Sequence, residues 1–185
     1  FSAGSYEDWR QDSDDFPKSI LGNDYDGWDG EIWLDIRQLD EVQAIMLARL
    51  ELAVEKDCDG IEPDNISAYD NDTGFDLSYD DQVSYNIWLA ETAHNLGLSI
   101  GLKNGSEMVE DLVEHYDWAL VEECFLYEFC EDFIPFIDAG KAVFVTEYIE
   151  NEMPQEDYCE ESIDLQFSTL TKTLELEDTA PDDCV

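Results

Sequence analysis

The sequence of 185 residues has very few basic side chains: it contains 8 Lys and Arg and 48 Asp and Glu, so its formal net charge is −40 at pH 7. Nucleic acid is not an expected partner, because phosphate binding requires positive charge. The sequence also lacks any run of about twenty apolar residues, so we predict no membrane-spanning helix. It contains no C-x-x-C pair and no G-x-G-x-x-G loop, the signatures of zinc or thioredoxin-like sites and of dinucleotide binding. We therefore expect no cofactor.

Three hypotheses explain the acidity: a disordered acidic chain, a mimic of nucleic acid, or a folded protein adapted to molar salt. Aromatic residues make up 12% of the sequence and occur from Phe1 to Phe167, whereas disordered acidic chains are poor in them. In molar salt the Debye length falls to about 3 Å, which screens the repulsion between surface carboxylates. We favour the third hypothesis and expect an extracellular protein of a high-salt environment.

Cysteine occurs at five positions: 58, 124, 130, 159 and 184. This odd number, without zinc-type spacing, favours disulfides formed outside the cell, with free buried thiols as the alternative. Cys124 and Cys130 are near enough in sequence to close a small loop, although spacing alone does not assign the pairs. The chain opens without an initiator Met or a signal peptide, and we expect a cut end there.

Short apolar runs alternate with longer amphipathic stretches, which is typical of βα units. The predicted strands are Ile32–Ile36, Gly60–Glu62, Leu98–Leu102, Trp118–Val121 and Ala142–Thr146, with Phe1–Ala3 as the end of an earlier strand. The predicted helices contain Val42–Ala53, Val83–Leu96, Glu107–His115 and Leu165–Leu176, and Tyr6–Gly30 is predicted to be a loop. We expect an α/β fold, either an open doubly wound sheet or a (β/α)8 TIM barrel without its first two units. This domain would span residues 1–176, followed by an acidic tail at 177–185.

Charged and amide side chains concentrate where the predicted strands end. They are Asp35, Arg37, Glu62, Asp64, Asn65, Lys103, Asn104, Glu122, Glu147 and Tyr148. In a βα barrel these ends converge on the face that holds the active site. A single charge at a strand end is more often a solvated loop residue or part of an interior salt bridge, but five strand ends share the pattern.

Aromatic rings near the same strand ends suit a sugar chain, whose C–H faces stack on them while its polar groups form hydrogen bonds. The expected rim consists of Trp28, Trp33, Tyr69, Phe125, Tyr127 and Tyr148. A metal site has less support, because Asp70-Asn71-Asp72 resembles part of a calcium loop but lacks the remaining EF-hand spacing. We therefore predict a polysaccharide partner and no metal.

Six segments, in order from Phe1 to Tyr148, carry a family resemblance. They are FSAGSYEDWR from Phe1, GEIWLDIR from Gly30, CDGIEPDN from Cys58, GLKN from Gly101, DWAL from Asp117 with Glu122 and Cys124-Phe125, and GKAVF from Gly140 with Glu147-Tyr148. The chain resembles glycoside hydrolase family 114, the endo-α-1,4-polygalactosaminidase family. The resemblance implies a secreted, monomeric (β/α)8 barrel that cuts α-1,4-linked galactosamine polymers. It also implies two strands before Phe1, without which we expect no activity.

The resemblance further implies two catalytic carboxylates, as glycosidic cleavage requires: Asp64 as nucleophile and Glu122 as acid/base, facing each other across one groove. The expected substrate-binding residues are Asp35, Glu62, Asn65, Lys103, Asn104, Glu147 and Tyr148. The sequence departs from the family where Val121-Glu-Glu-Cys124 replaces Asn-Glu-Gln-Cys, which leaves the polymer preference open. The alternatives are a non-catalytic carbohydrate-binding barrel and an acidic interaction protein without a pocket.

Overall fold

The first half of the chain combines a small antiparallel sheet with a parallel pair of strands. The computed structural model describes residues 1–176 and 182–184, and the chain divides into two compact units, Phe1–Lys103 and Asn104–Val185. In the first unit, an antiparallel sheet with the order β1-β3-β2 is formed by β1 (Ser5–Glu7), β2 (Leu21–Asp24) and β3 (Glu31–Leu34). Then follow helix α1 (Leu39–Glu55), strand β4 (Gly60–Ile61), helix α2 (Tyr79–Asn95) and strand β5 (Ser99–Lys103), and β4 pairs with β5 in parallel.

Strand β3 corrects the prediction made for the start of the chain. A strand was expected there, but it pairs antiparallel with β1 and β2 rather than joining a parallel sheet. The prediction of one long loop over Tyr6–Gly30 is likewise wrong. Gly27 and Gly30 have φ of +87° and +89°, a conformation open to glycine at little cost, and the chain reverses there between β2 and β3.

The two long helices follow the predicted spacing. Helix α1 buries residues three and four positions apart, which share one helical face: Val42, Ile45, Met46, Arg49 and Leu50. Helix α2 begins with a capping box, in which Ser78 Oγ accepts a hydrogen bond from the Asp81 amide and the Asp81 carboxylate accepts one from the Ser78 amide. These local signals are strong enough to place both helices from the sequence.

Arg49 is a buried charge within the apolar face of α1. Its Nε and Nη2 donate hydrogen bonds to the two carboxylate oxygens of Asp12 at 2.6 and 3.0 Å, and its guanidinium lies 5.2 Å from the ring centroid of Phe16. Its Nη1 donates to the carbonyl of Ser2. Because a buried charge is tolerated only when it is paired, Arg49 fixes the irregular segment between β1 and β2 to helix α1.

The second unit is built around three parallel strands. Its elements are α3 (Val109–Leu112), β6 (Trp118–Glu122), α4 (Ile134–Asp138), β7 (Ala142–Tyr148), α5 (Cys159–Asp164), β8 (Ser168–Lys172) and β9 (Asp182–Asp183). Strand β7 pairs in parallel with β6 and β8, and β9 pairs antiparallel with β8. Alternating helices and parallel strands make this an α/β fold, as predicted.

The helix predicted over Leu165–Leu176 is wrong. Helix α5 ends at Asp164, and Gln166 takes a positive φ of +62°, so the chain turns and continues as β8. The strand contains Thr169 and Thr171, whose branched side chains favour the extended backbone. Within the predicted tail 177–185, residues 177–181 and 185 lie outside the described residues.

Two disulfides lie in the second unit, between Cys124 and Cys130 and between Cys159 and Cys184. Cys58 is an exposed free thiol. The expectation of disulfides is confirmed. The structure also assigns the pairing that the sequence left open: Cys124 pairs with Cys130, and Cys159 pairs with Cys184. None of the helices within residues 1–176 has the length and hydropathy needed to cross a membrane.

Candidate active site

In the first unit, a lysine and two carboxylates meet where β4 and β5 end. Lys103, the last residue of β5, places Nζ 3.1 Å from Glu62 Oε1 and 3.5 Å from Asp64 Oδ1. The Lys103 side chain is 8% exposed, whereas those of Glu62 and Asp64 are 35% and 45% exposed. A buried cation thus joins two acidic groups that solvent can reach, and the structure brings these three predicted site residues together.

The backbone holds Asp64 firmly beside the N-terminal segment. The Asp64 amide donates a hydrogen bond to the Phe1 carbonyl at 2.8 Å, and the Ala3 amide donates to the Asp64 carbonyl at 2.8 Å. The carboxylate itself accepts a hydrogen bond from the Asn65 amide at 3.0 Å. Because these hydrogen bonds hold both the amide and the carbonyl of Asp64, its side chain projects from a fixed backbone.

A buried polar cluster, formed by Ser2, Ser5, Glu31 and Asn65, lies behind Asp64. Asn65 has φ of +60°, and its Nδ2 donates to Ser5 Oγ at 2.9 Å and to Glu31 Oε2 at 3.2 Å. Burial raises the pKa of the Glu31 carboxyl, although the hydrogen bond from Ser5 acts in the opposite direction. Ser2, Ser5 and Glu31 were not predicted as site residues, and the only signal for them in the sequence is the acid at the start of an apolar strand.

Asp35 and Arg37, which follow β3, form a pair with each other. Arg37 Nε donates to Asp35 Oδ1 at 2.8 Å, and Gln38 Nε2 donates to Asp35 Oδ2 at 3.2 Å. Burial alone would raise the pKa of Asp35, but the hydrogen bonds from Arg37 and Gln38 outweigh it and keep the pKa below its usual value. The contacts of Asp35 are those of an internal ion pair, and its contact with substrate stays a prediction.

In the second unit, both carboxylate oxygens of Glu122 accept hydrogen bonds from predicted site residues. Asn104 Nδ2 donates to Oε2 at 3.1 Å, and the Tyr148 hydroxyl donates to Oε1 at 2.5 Å. Asn104 also accepts a hydrogen bond from the Glu122 amide through Oδ1 at 2.9 Å. Two donors therefore orient a half-buried carboxylate at the end of β6, an arrangement that would suit a group that transfers a proton at a defined position.

Glu147, in strand β7, differs from the other predicted site residues because it is only 2% exposed. Its Oε1 accepts a hydrogen bond from the backbone amide of Phe125 at 2.9 Å. Burial raises the pKa of Glu147 to about 7, and the charge of Glu123 adds to this, while the amides of Phe125 and Leu126 act in the opposite direction. The position of Glu147 at a strand end predicted a site residue, but the sequence carries no sign that its side chain is buried.

The predicted aromatic rim is exposed only in part. Trp28 in the first unit is 60% exposed and Tyr127 in the second is 65% exposed, so both rings are open to a sugar face. Trp33 is buried and packs against Tyr25, with 4.5 Å between the ring centroids. The expectation that Trp33 belongs to the rim is therefore wrong, and so is the same expectation for Tyr148, which is 6% exposed.

Strand-end carboxylates, a charge-compensating lysine and exposed aromatic rings are the kinds of side chain that a carbohydrate-active hydrolase uses. The model of glycoside-hydrolase family GH114 matches residues 1–184. The chain belongs to that family and is a glycoside hydrolase. A search of curated proteins gave no match.

The chain is similar to several solved structures. A crystal structure of Aspergillus fumigatus Ega3 in complex with galactosamine is 39% identical, covers 100% of this chain and 76% of its own, and has a TM-score of 0.92. The glycoside hydrolase domain of PelA from Pseudomonas aeruginosa is 13% identical, covers 98% of this chain and 79% of its own, and has a TM-score of 0.69. The second likeness shows the fold alone.

Proposed function

We propose that the protein hydrolyses internal bonds of an α-1,4-linked galactosamine polymer, with Asp64 and Glu122 as its two catalytic carboxylates. The observation that carries the proposal is the set of donors that orient Glu122, together with the match to a relative solved with galactosamine. The (β/α)8 barrel and secretion from the cell, expected from the family resemblance, belong to the same proposal.

Glu122 acts in this proposal as the acid that protonates the leaving oxygen and afterwards as the base that activates water. A carboxyl group in that role has to keep one orientation while it gains and loses a proton. Asn104 and Tyr148 support this, because each donates to a different oxygen of Glu122. Loss of either donor would leave the carboxylate free to rotate.

Asp64 acts as the nucleophile at the anomeric carbon. A nucleophilic carboxylate has to be ionised and accessible, and Asp64 is partly exposed while the Lys103 ammonium lies 3.5 Å from its Oδ1. Lys103 also compensates the charge of Glu62. Because the Glu62 side chain is still 35% exposed beside Lys103, it can also contact an amine of the substrate, which would favour a protonated amino sugar over a neutral one.

Substitution of the two carboxylates tests the proposal. Asp64→Asn and Glu122→Gln, made in the protein expressed from its complete reading frame, are expected to lower the release of oligosaccharides from polygalactosamine by at least about 10³-fold while leaving binding largely intact. Glu51→Gln and Glu110→Gln, which remove exposed charges from α1 and α3, are the matched controls and should keep wild-type activity.

Two outcomes would contradict the proposal. Full activity of either active-site variant would remove that carboxylate from the mechanism. A wild type that binds the polymer but never releases oligosaccharides, in dilute buffer or in molar salt, would favour the alternative of a non-catalytic carbohydrate-binding domain, for which the exposed rings of Trp28 and Tyr127 would suffice.

A further inference from the structure

Glu147 uses its buried carboxyl group on one side only. One oxygen accepts the hydrogen bond from the Phe125 amide, whereas Oε2 has no hydrogen-bond partner among the residues that the structure describes. On the neighbouring strand β8, the residue paired with Glu147 is the uncharged Thr171. The Glu147 side chain therefore contacts the segment that follows β6 through a hydrogen bond, and it makes no ion pair with the described residues of that segment.

That segment, residues 123–130, is here called the post-β6 loop. Its first residue, Glu123, takes φ of +58°, and the Glu123 amide donates to the Thr146 carbonyl at 2.9 Å. The Cys124–Cys130 disulfide closes the loop, and the ring of Phe125 stacks on Tyr158 with 5.5 Å between the centroids. The loop begins directly after Glu122, so a displacement of its first residues would move the backbone that carries that carboxylate.

The hydrogen bond to Glu147 anchors the part of the loop that the disulfide leaves free to shift. The disulfide joins the two ends of the loop to each other, but not to strand β7. The hydrogen bond from the Glu123 amide to Thr146 attaches the first residue of the loop to that strand. The contact between Phe125 and Glu147 attaches the loop a second time, one residue before Tyr148, whose hydroxyl donates to Glu122. Adjacent residues of β7 therefore hold the Glu122 carboxylate and the loop that begins after it.

We propose that Glu147 is a positioning residue for Glu122: its carboxyl oxygen accepts the Phe125 amide proton, fixes the post-β6 loop to β7 and thereby fixes the catalytic carboxylate at the start of that loop. The inference rests on the proposed function of Glu122. It assigns Glu147 no contact with substrate, in agreement with its exposure of only 2%.

Three substitutions separate the hydrogen bond from the acid. Glu147→Gln keeps an acceptor oxygen at the same reach, Glu147→Leu keeps the approximate volume without an acceptor, and Glu147→Asp keeps the acid but is one methylene too short. We expect wild-type kcat within about threefold for the Gln variant. We expect a loss of about 10–100-fold in kcat with little change in KM for the Leu variant, because small misplacements of catalytic groups are costly.

Hydrogen exchange of a peptide covering residues 123–130 gives a readout that needs no activity. Exchange should be at least about tenfold faster in the Leu variant and unchanged in the Gln variant. Lys141→Met is the matched control. Lys141 lies directly before β7, and the substitution removes the hydrogen bonds that its side chain donates to the Val113 and Tyr116 carbonyls. It should change neither kcat nor exchange in the loop.

Unchanged loop exchange in Glu147→Leu overturns the inference whatever the activity, and so does faster exchange with wild-type kcat. If the Leu variant does not fold, the pair of Gln and Asp variants decides: an Asp variant as active as wild type overturns the inference, while an Asp variant impaired beside an active Gln variant supports it. Absence of hydrolysis in the wild type would refute the proposed function instead, and the exchange result would still decide whether Glu147 holds the loop.

Discussion

The raised pKa of Glu147 predicts a pH dependence of stability that a single substitution removes. An acid whose pKa is higher in the folded than in the unfolded state retains its proton after the unfolded chain has lost it. Stability is then complete below the unfolded pKa, falls as the pH rises towards the folded pKa, and levels off above it. For Glu147 these limits are the ordinary value of 4.5 and about 7.

The expected magnitude follows from the same two values. A difference of about 2.5 pKa units corresponds to about 3 kcal/mol of unfolding free energy at about 1.4 kcal/mol per unit. Glu147→Gln cannot ionise, keeps the acceptor for the Phe125 amide and so loses this contribution. The variant should gain up to about 3 kcal/mol relative to wild type as the pH rises from about 4.5 to about 7.5.

Urea unfolding of both proteins at intervals between about pH 4.5 and pH 8 measures this difference. Glu110→Gln is the control, because it removes one exposed charge from the same unit, and its unfolding free energies should run parallel to those of wild type. If the difference between Glu147→Gln and wild type stayed constant across this range, Glu147 would not titrate there, and burial would not raise its pKa as described.

Two further predictions concern the disulfides and the charge. Cys159→Ser should lower the unfolding free energy by about 3 kcal/mol, because the Cys159–Cys184 bond joins residues with a sequence separation of 25. Cys58→Ser, at an exposed free thiol, should change the unfolding free energy by less than about 0.5 kcal/mol. Equal effects of the two substitutions in chemical denaturation would contradict the pairing. The net charge of −40 should make the melting temperature rise by about 5 °C or more between about 0.1 and 2 M NaCl as repulsion is screened, and a melt indifferent to salt would remove the hypothesis of adaptation to molar salt.

The strands and helices that could be predicted are those with strong local signals. Helix α2 has a capping box at Ser78 and a glycine beyond its end at Gly97, and β5 and β7 are nearly continuous apolar runs. The errors fall where local signals are weak or ambiguous. The apolar run of β3 resembles the runs of the parallel strands, so the sequence does not reveal its direction. The chain reversal at Gly27 and Gly30 sets β3 antiparallel to its neighbours.

The candidate site was predictable as a set of residue types but not as a set of contacts. The polar residues after β4, β5, β6 and β7 were recognised because they interrupt apolar runs. Their environments differ widely: the Asp64 side chain is 45% exposed, whereas Glu147 is 2% exposed. The contacts of Ser2, Ser5 and Glu31 with Asn65 could not be predicted, because they join positions as much as 63 residues apart.

By itself, the sequence determined the family, the alternation of helices and strands and the positions of the acidic side chains, because these depend on local periodicity and on the order of short motifs. Only the tertiary structure decided which acids are paired, which is buried with a raised pKa, and which cysteines are joined. Burial and pairing depend on residues distant in the chain that pack side by side, and that packing fixes the desolvation and the hydrogen bonds of each charge.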